Sequence, residues 1–343
     1  MAAMQFAPLL EKLRRHEDLT AEEAAAAMGA IMDGQAQSSQ IAALLMGLAL
    51  KGEHPVEMKG LATTMRERAT KMPVAVEGVF DTCGTGGDGA HTFNVSTAAA
   101  IVLAACGVRV AKHGNRAVSS RSGSADVFEA LGVDIEAPIE RVVETLQQVG
   151  LAFFFAPAWH PSMRHAGPTR RELGIRTAFN LLGPLTNPAG ARRQLVGVPR
   201  PELTELVART LGHLEAERAW VVHGSDGLDE ISTTGYTKVS EWSDGAVRTF
   251  YLHPADVGLP TATIEGLRGG TAVENAALLE ALLAGERSAR RDIVLFNAGA
   301  ALLIAGRAAS VREGMALAAA AIDDGRASRT LAALRAHCGK HGH

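Results

Sequence analysis

Val79-Phe80-Asp81-Thr82-Cys83-Gly84-Thr85-Gly86-Gly87-Asp88-Gly89 starts as a short apolar run and ends in a glycine-rich turn, and Asn94-Val95-Ser96-Thr97 then opens an Ala-rich stretch. A strand, a glycine turn and a helix in that order begin a βαβ unit, so this passage sets the class as α/β. The same alternation recurs downstream. Strands are expected at Val79 to Thr82, Val108 to Ala111, Ala152 to Ala156 and Ala219 to His223. Helices are expected at about Ser96 to Cys106, Ser124 to Leu131, Ile139 to Val149 and Pro201 to Leu214. The polar loops then fall at the carboxyl ends of a mainly parallel sheet, where open α/β sheets bind ligands.

Upstream of this passage, Pro8 to about Arg68 reads as helical. Thr20 and Glu23 form a capping box, Gly34 is a stop, Ser38 or Ser39 opens a second helix over Ile41 to Leu50, and Pro55 starts a third reaching roughly to Ala69. Residues 161–188 turn helical and basic again and are expected to pack back on these first helices. Two domains follow: 1–70 plus about 161–188, and 71–160 plus about 189–343. Residues 240–265 read as a strand-rich excursion and Val273 to Leu334 as mostly helical. The tail from His337 to His343 resembles a metal-binding cluster, but a frayed terminus is the preferred reading because nothing in the sequence fixes the ligands.

Composition removes several classes of function. The 343 residues are 47% hydrophobic and 21% charged with a formal charge of −3, which speaks against a generic nucleic-acid binder. The longest apolar stretches, near Ala98 to Gly107 and Ala298 to Gly306, fall short of the roughly 18 residues of a membrane span. Met1 to Glu11 carries no secretory pattern, and three cysteines fit reduced thiols, so a cytoplasmic location without membrane contact is expected. Glycine is abundant, at 36 residues, while aromatics are 4%; the excess fits either flexible loops or phosphate-binding turns.

Four loops decide between those uses. Gly84, Gly86 and Gly89 satisfy GxGxxG, but the region about 20 residues on reads Val108-Arg109-Val110-Ala111-Lys112, without the acid that a dinucleotide site needs. No GxxxxGK[ST] is present. Free backbone N–H groups and the positive end of the following helix instead suit a polyphosphate; an ordinary tight turn with an N-cap at Ser96 explains only part of the run. The second loop, Lys112 to Ser124, holds three cations and four serines, which suits a phosphorylated sugar or a solvated basic loop, and His113 alone could be a core histidine. The third, His223 to Glu230, offers Asp229 and Glu230 for Mg2+ bridging to pyrophosphate. A solvated acidic turn would be preferred there without the other two loops. The fourth, Arg164 to Thr177, has four arginines that either grip a carboxylate or serve an interface; sequence leaves these even.

Gly84-Thr85-Gly86-Gly87-Asp88-Gly89, Asn94-Val95-Ser96-Thr97, Lys112-His113-Gly114-Asn115-Arg116, Ser122-Gly123-Ser124-Ala125-Asp126-Val127, Leu173-Gly174-Ile175-Arg176-Thr177, Asn180-Leu181-Leu182-Gly183-Pro184-Leu185-Thr186-Asn187-Pro188 and Gly227-Leu228-Asp229-Glu230 together resemble the signature set of the anthranilate phosphoribosyltransferases. The resemblance covers nearly the whole chain. It implies a nucleoside-phosphorylase-like fold, a small all-helical domain that forms a homodimer, and a larger α/β domain. It also implies transfer from 5-phosphoribosyl 1-pyrophosphate to anthranilate, in tryptophan biosynthesis, with Mg2+.

Carried over by motif, Gly84, Gly87, Asp88, Thr92, Asn94, Val95, Ser96, Thr97, Lys112, His113, Gly114, Asn115, Arg116, Ala117, Val118, Ser119, Ser120 and Ser124 would hold the sugar pyrophosphate. Gly84, Asn115 and Arg170, with His113, His160 and Pro184, would meet anthranilate. Ser96, Asp229 and Glu230 would hold magnesium. Catalysis is then expected from electrostatics and orientation, with no dedicated acid or base. Two other functions fit the fold: a pyrimidine nucleoside phosphorylase, which would leave Asp229-Glu230 without a job, and a nucleic-acid-binding relative, which would need a basic groove.

Overall fold

The computed structural model describes residues 4–87, 89, 92–117 and 121–339; Asp88, Val118, Ser119, Ser120 and the tail histidines His341 and His343 lie outside them. Four helices come first: α1 (Ala7–Arg14), α2 (Ala21–Met32), α3 (Ser38–Lys51) and α4 (Pro55–Glu67). The Thr20 hydroxyl accepts the Glu23 N–H while the Glu23 carboxylate accepts the Thr20 N–H, which closes the α2 capping box. Gly52, at φ 91°, ends α3, and Pro55 occupies the first turn of α4.

The α/β part runs β1 (Val79–Gly84), α5 (Val95–Ala105), β2 (Arg109–Gly114), α6 (Ser124–Ala130), α7 (Ile139–Val149), β3 (Leu151–Phe155) and a one-turn α8 (Ala156–Trp159). The helices α9 (Gly167–Leu173) and α10 (Ala178–Leu185) follow, then β4 (Arg193–Gly197), α11 (Leu203–His213), β5 (Arg218–Gly224), β6 (Thr237–Ser243) and β7 (Ala246–Leu252). Four helices close the chain: α12 (Ala272–Leu283), α13 (Ala289–Ile304), α14 (Val311–Asp323) and α15 (Arg326–Cys338).

Among the described residues seven strands form one sheet in the order β3-β2-β1-β4-β5-β6-β7, parallel from β3 to β5 and antiparallel at the β6 and β7 edge. Of the excursion expected over 240–265 only the first half is strand: the hairpin ends at Leu252, and short 3-10 turns at Pro254–Val257 and Ile264–Leu267 follow. The hairpin turns at Asp244-Gly245, where both residues have positive φ as a tight hairpin of right-handed twist requires. Strand β4 was not expected from the sequence. The chain leaves β1 toward β2 and β3 on one side and β4 and β5 on the other, so a crevice opens at the carboxyl ends of β1 and β4, the switch point of the sheet.

Each parallel strand buries both faces. Along β5, Trp220 and Val222 enter one apolar cluster with α5 and α13, while Ala219 and Val221 enter a second with the first helices. That second cluster joins Met28, Ile31, Leu44, Leu45 and Leu61 to Ala166, Phe179, Leu181 and Leu182, and also to Val196 and α11. The segment around α9 and α10 thus packs against α2 to α4. The tail is not frayed up to Gly339: α15 continues through Cys338, which is buried, and Gly339 bridges Val133. His337 is exposed on the same helix, so it and Cys338 face different surroundings. Among the described residues no helix is long and apolar enough to cross a membrane.

Candidate active site

The glycine loop and the acidic loop meet at the switch point. Past the end of β1 the Thr85 N–H donates to Gly197 O at 2.9 Å, and the Gly86 N–H donates to Asp229 Oδ2 at 2.8 Å. Glu230 Oε1 accepts the Ser96 N–H at 3.2 Å, at the first turn of α5. Gly84 makes room for this approach, and Gly87 makes room for Arg176. A Cβ on Gly84 would lie 2.2 Å from Asp229 Oδ2, and one on Gly87, at φ +81°, would lie 1.6 Å from a guanidinium nitrogen of Arg176. Val95 and Thr97 are buried on α5, which leaves only their backbone to meet a ligand there. Asn94 ties neighbouring loops together, donating to Ser122 O at 3.3 Å and accepting from Asn275 Nδ2 at 2.9 Å. Thr92 pairs with Arg268 in an isolated bridge.

Strand β2 extends to Gly114, so Lys112 and His113 are strand residues that point to opposite faces. Lys112 is buried beneath the glycine loop, donating to Thr82 O at 2.6 Å and Ser96 Oγ at 3.2 Å. Burial draws its pKa down, and burial likewise lifts buried Asp81 to about 6. Cys83, beside Asp81, is buried with its thiol pushed well up, so it is no thiolate nucleophile. In the second loop Arg116 pairs with Asp126 at 3.1 Å and Glu129 at 2.8 Å, while Ala117 and Gly123 N–H groups both donate to Asp126 Oδ2. Gly114 packs so closely that a Cβ would sit 2.2 Å from Ser124 Oγ; Asn115 is exposed and its backbone O accepts the Ala125 N–H.

The four arginines of residues 164–177 have different surroundings. Arg164 and Arg171 are exposed, and Arg176 reaches Thr85 O at 3.4 Å. Arg170 is half-buried over the Phe179 ring at 5.4 Å, its pKa lowered by burial, and has no carboxylate partner among the described residues. Near β2, His113 Nδ1 bonds Gly183 O at 3.1 Å and His160 Nε2 bonds Thr186 O at 3.0 Å, with ring centroids 5.2 Å apart. Both rings are buried, which lowers their pKa values to about 3 and about 4. Pro184 O, between those two carbonyls, accepts from Gln194 Nε2 at 2.8 Å.

A sign follows for pH. Unfolded His160 titrates near 6.5 and the buried ring near 4, so on acidification the unfolded chain takes a proton that the fold refuses. In His160→Asn this loss is absent. From pH 7 to 5 in urea unfolding, wild type is expected to lose stability relative to the variant by up to about 1.4 kcal/mol per pH unit below 6.5. Parallel pH curves would show that His160 is not held neutral.

The donor set of Ser96, Asp229 and Glu230 fits a hard cation. It consists of oxygens only, and no group of three His, Cys, Asp or Glu among the described residues forms a closed cage. Mg2+ prefers this arrangement, because it keeps waters and takes phosphate oxygens from a substrate. Sequence reasoning gave no role to Asp81, Asn187, Gly197 or Asn275. Asn187 stood in a quoted motif; Gly197 carried no signal, because β4 was not recognised.

Residues 7–69 match the family described as the glycosyl transferase family helical bundle domain, and residues 76–328 match the glycosyl transferase family a/b domain. An anthranilate phosphoribosyltransferase of Symbiobacterium thermophilum is 54% identical over 327 residues, which is 95% of this chain and 96% of that protein. The crystal structure of the Thermus thermophilus anthranilate phosphoribosyltransferase superposes with a TM-score of 0.89 at 47% identity, covering 95% and 99% of the two chains. The Saccharomyces cerevisiae enzyme in complex with PRPP and Mg gives 0.89 at 27% identity, covering 97% of each chain. With such identity over nearly its full length, and the helical bundle and a/b parts in this order, the chain belongs to the anthranilate phosphoribosyltransferase family.

Proposed function

We propose that this protein transfers the phosphoribosyl group of 5-phosphoribosyl 1-pyrophosphate to the amine of anthranilate, giving N-(5-phosphoribosyl)anthranilate and pyrophosphate in tryptophan biosynthesis. The observation that carries this reading is Arg170, a desolvated guanidinium without a carboxylate partner among the described residues, which suits the carboxylate of the acceptor. His113, His160 and Pro184 line the path of the aromatic ring, and Gly84 and Asn115 meet it from the loops. The sugar pyrophosphate lies along the glycine loop, the N–H groups at the start of α5, and the loop from Lys112 to Ser124.

The arylamine is neutral near pH 7, so the chain's task is to orient it more than to deprotonate it. Both buried imidazoles are neutral at that pH, so each keeps one N–H and one lone pair, and the lone pair can accept. Asp229, Glu230 and Ser96 would hold Mg2+, which when bound would neutralise charge on the departing pyrophosphate. Lys112 supports Ser96 from below, and the N–H groups of α5 add fixed positive potential. The packing of Ala166, Phe179 and Leu182 on the first helices supports one helical domain of 1–70 with 161–188, and the family likeness makes that domain the dimerisation unit of this reading. Free cysteines suit a cytoplasmic site of action, and a net charge of −3 does not favour nucleic acid as a partner.

Loss of anthranilate fluorescence with 5-phosphoribosyl 1-pyrophosphate and Mg2+ tests the reaction directly, and no loss would overturn it. Arg170→Ala is expected to raise the KM for anthranilate about tenfold or more, the scale of a lost charge-assisted bond, with less than about a twofold change for the sugar substrate. Equal changes in both would make Arg170 a structural residue.

A further inference from the structure

Asp81, in the middle of β1, and Asn187, just past α10, are buried polar groups to which the reaction described above gives no part. Asn187 Nδ2 donates to Asp81 Oδ2 and to Ala111 O, each at 2.8 Å, and its Oδ1 accepts the Ala189 N–H at 2.8 Å. Asp81 Oδ1 accepts the His113 N–H at 3.3 Å. This rivet joins β1, β2 and the turn that carries Gly183 and Thr186.

The carbonyls of that turn decide the histidines. A carbonyl can only accept, so the bonds from His113 Nδ1 to Gly183 O and from His160 Nε2 to Thr186 O place the ring protons on those nitrogens. The other two, His113 Nε2 and His160 Nδ1, are then lone pairs. Both are buried without a hydrogen-bond partner, on rings 5% and 2% exposed. Two unpaired acceptors in a buried place are costly unless a donor arrives. A primary arylamine brings two N–H groups; a ligand with only lone pairs brings none.

We propose that Asp81 and Asn187 are positioning residues of the acceptor site: they pin the Gly183 and Thr186 carbonyls to β1 and β2, and thereby hold His113 and His160 as acceptors for the two amine N–H groups. The inference rests on the arylamine reading of the site. It makes the amine, and not only the carboxylate, a determinant of specificity.

Equilibrium binding of anthranilate and of benzoate, which keeps ring and carboxylate but lacks the amine, reads this without turnover. In Asn187→Ala the preference for anthranilate over benzoate is expected to fall about tenfold, the scale of a lost buried hydrogen bond, with benzoate and sugar pyrophosphate binding within about twofold of wild type. A preference that survives, or an equal loss for all three ligands, overturns the proposal. Asp81→Asn keeps the size and an oxygen for the His113 N–H but turns an amide NH2 toward Asn187 Nδ2, which breaks the rivet without adding a charge, so it gives the same readout if the alanine variant does not fold. One measurement needs no variant: 15N spectra of folded wild type must show the Nδ1–H form at His113 and the Nε2–H form at His160, and the reverse pattern overturns the proposal. If wild type fails to consume anthranilate yet shows these tautomers and prefers anthranilate to benzoate, the transfer reading falls and the positioning roles stand.

Discussion

Replacing Asp229 and Glu230 together by alanine lowers kcat about a thousandfold or more, equivalent to about 4 kcal/mol of transition-state stabilisation, and shifts the Mg2+ requirement to much higher concentration. Two effects combine. Both carboxylates would be donors to a hard cation, and each also holds a backbone N–H, Gly86 for Asp229 and Ser96 for Glu230. The amide variants separate the two roles. Asp229→Asn and Glu230→Gln keep an oxygen acceptor for those N–H groups but lose the charge, so a large defect in them belongs to the cation. Steady-state rates across a Mg2+ titration provide the check, and near-normal turnover with an unchanged Mg2+ midpoint would remove the metal role.

Gly197→Ala is expected to abolish most activity while leaving a folded protein. An added Cβ would lie 1.6 Å from Asp229 O and 2.4 Å from its carbonyl carbon, and neither belongs to a side chain that can swing aside. The backbone of the acidic loop has to move, and Gly197 O also accepts the Thr85 N–H that begins the glycine loop. A shift of about 1 Å at such a place costs on the order of a hundredfold in kcat/KM, whereas overpacking costs about 1–3 kcal/mol in stability. Rates together with thermal unfolding check this. Activity retained at the wild-type level would show that the acidic loop tolerates displacement.

The sequence was readable where a pattern is local. Gly84 to Gly89 between an apolar run and an Ala-rich helix announced β1 and α5, and Thr20 with Glu23 announced α2. Strand β4 was missed because it begins Arg193-Gln194 after Arg192, which looks like a loop; Gln194 is buried only because Pro184 O accepts its amide. The site followed the same rule. Counting cations in the second loop could not separate Lys112, turned under the loop, from Arg116, spent on Asp126 and Glu129. Asp81 and Asn187 stand over a hundred positions apart, and their pairing has no signature along the chain. Arg170 is the reverse case: the motif pointed to it, and burial without a counter-ion among the described residues gives a physical reason.

The apolar cluster beneath the first helices reaches Ala219 and Val221 of β5, so those helices depend on sheet residues that come much later in the chain. During synthesis, α1 to α4 emerge with their inner faces uncovered and must wait for α10, β4, α11 and β5 before that core can close. Long-range closure of this kind slows folding and prolongs exposure of apolar surface. The nascent amino-terminal segment is therefore the stage at which that apolar face stays uncovered longest.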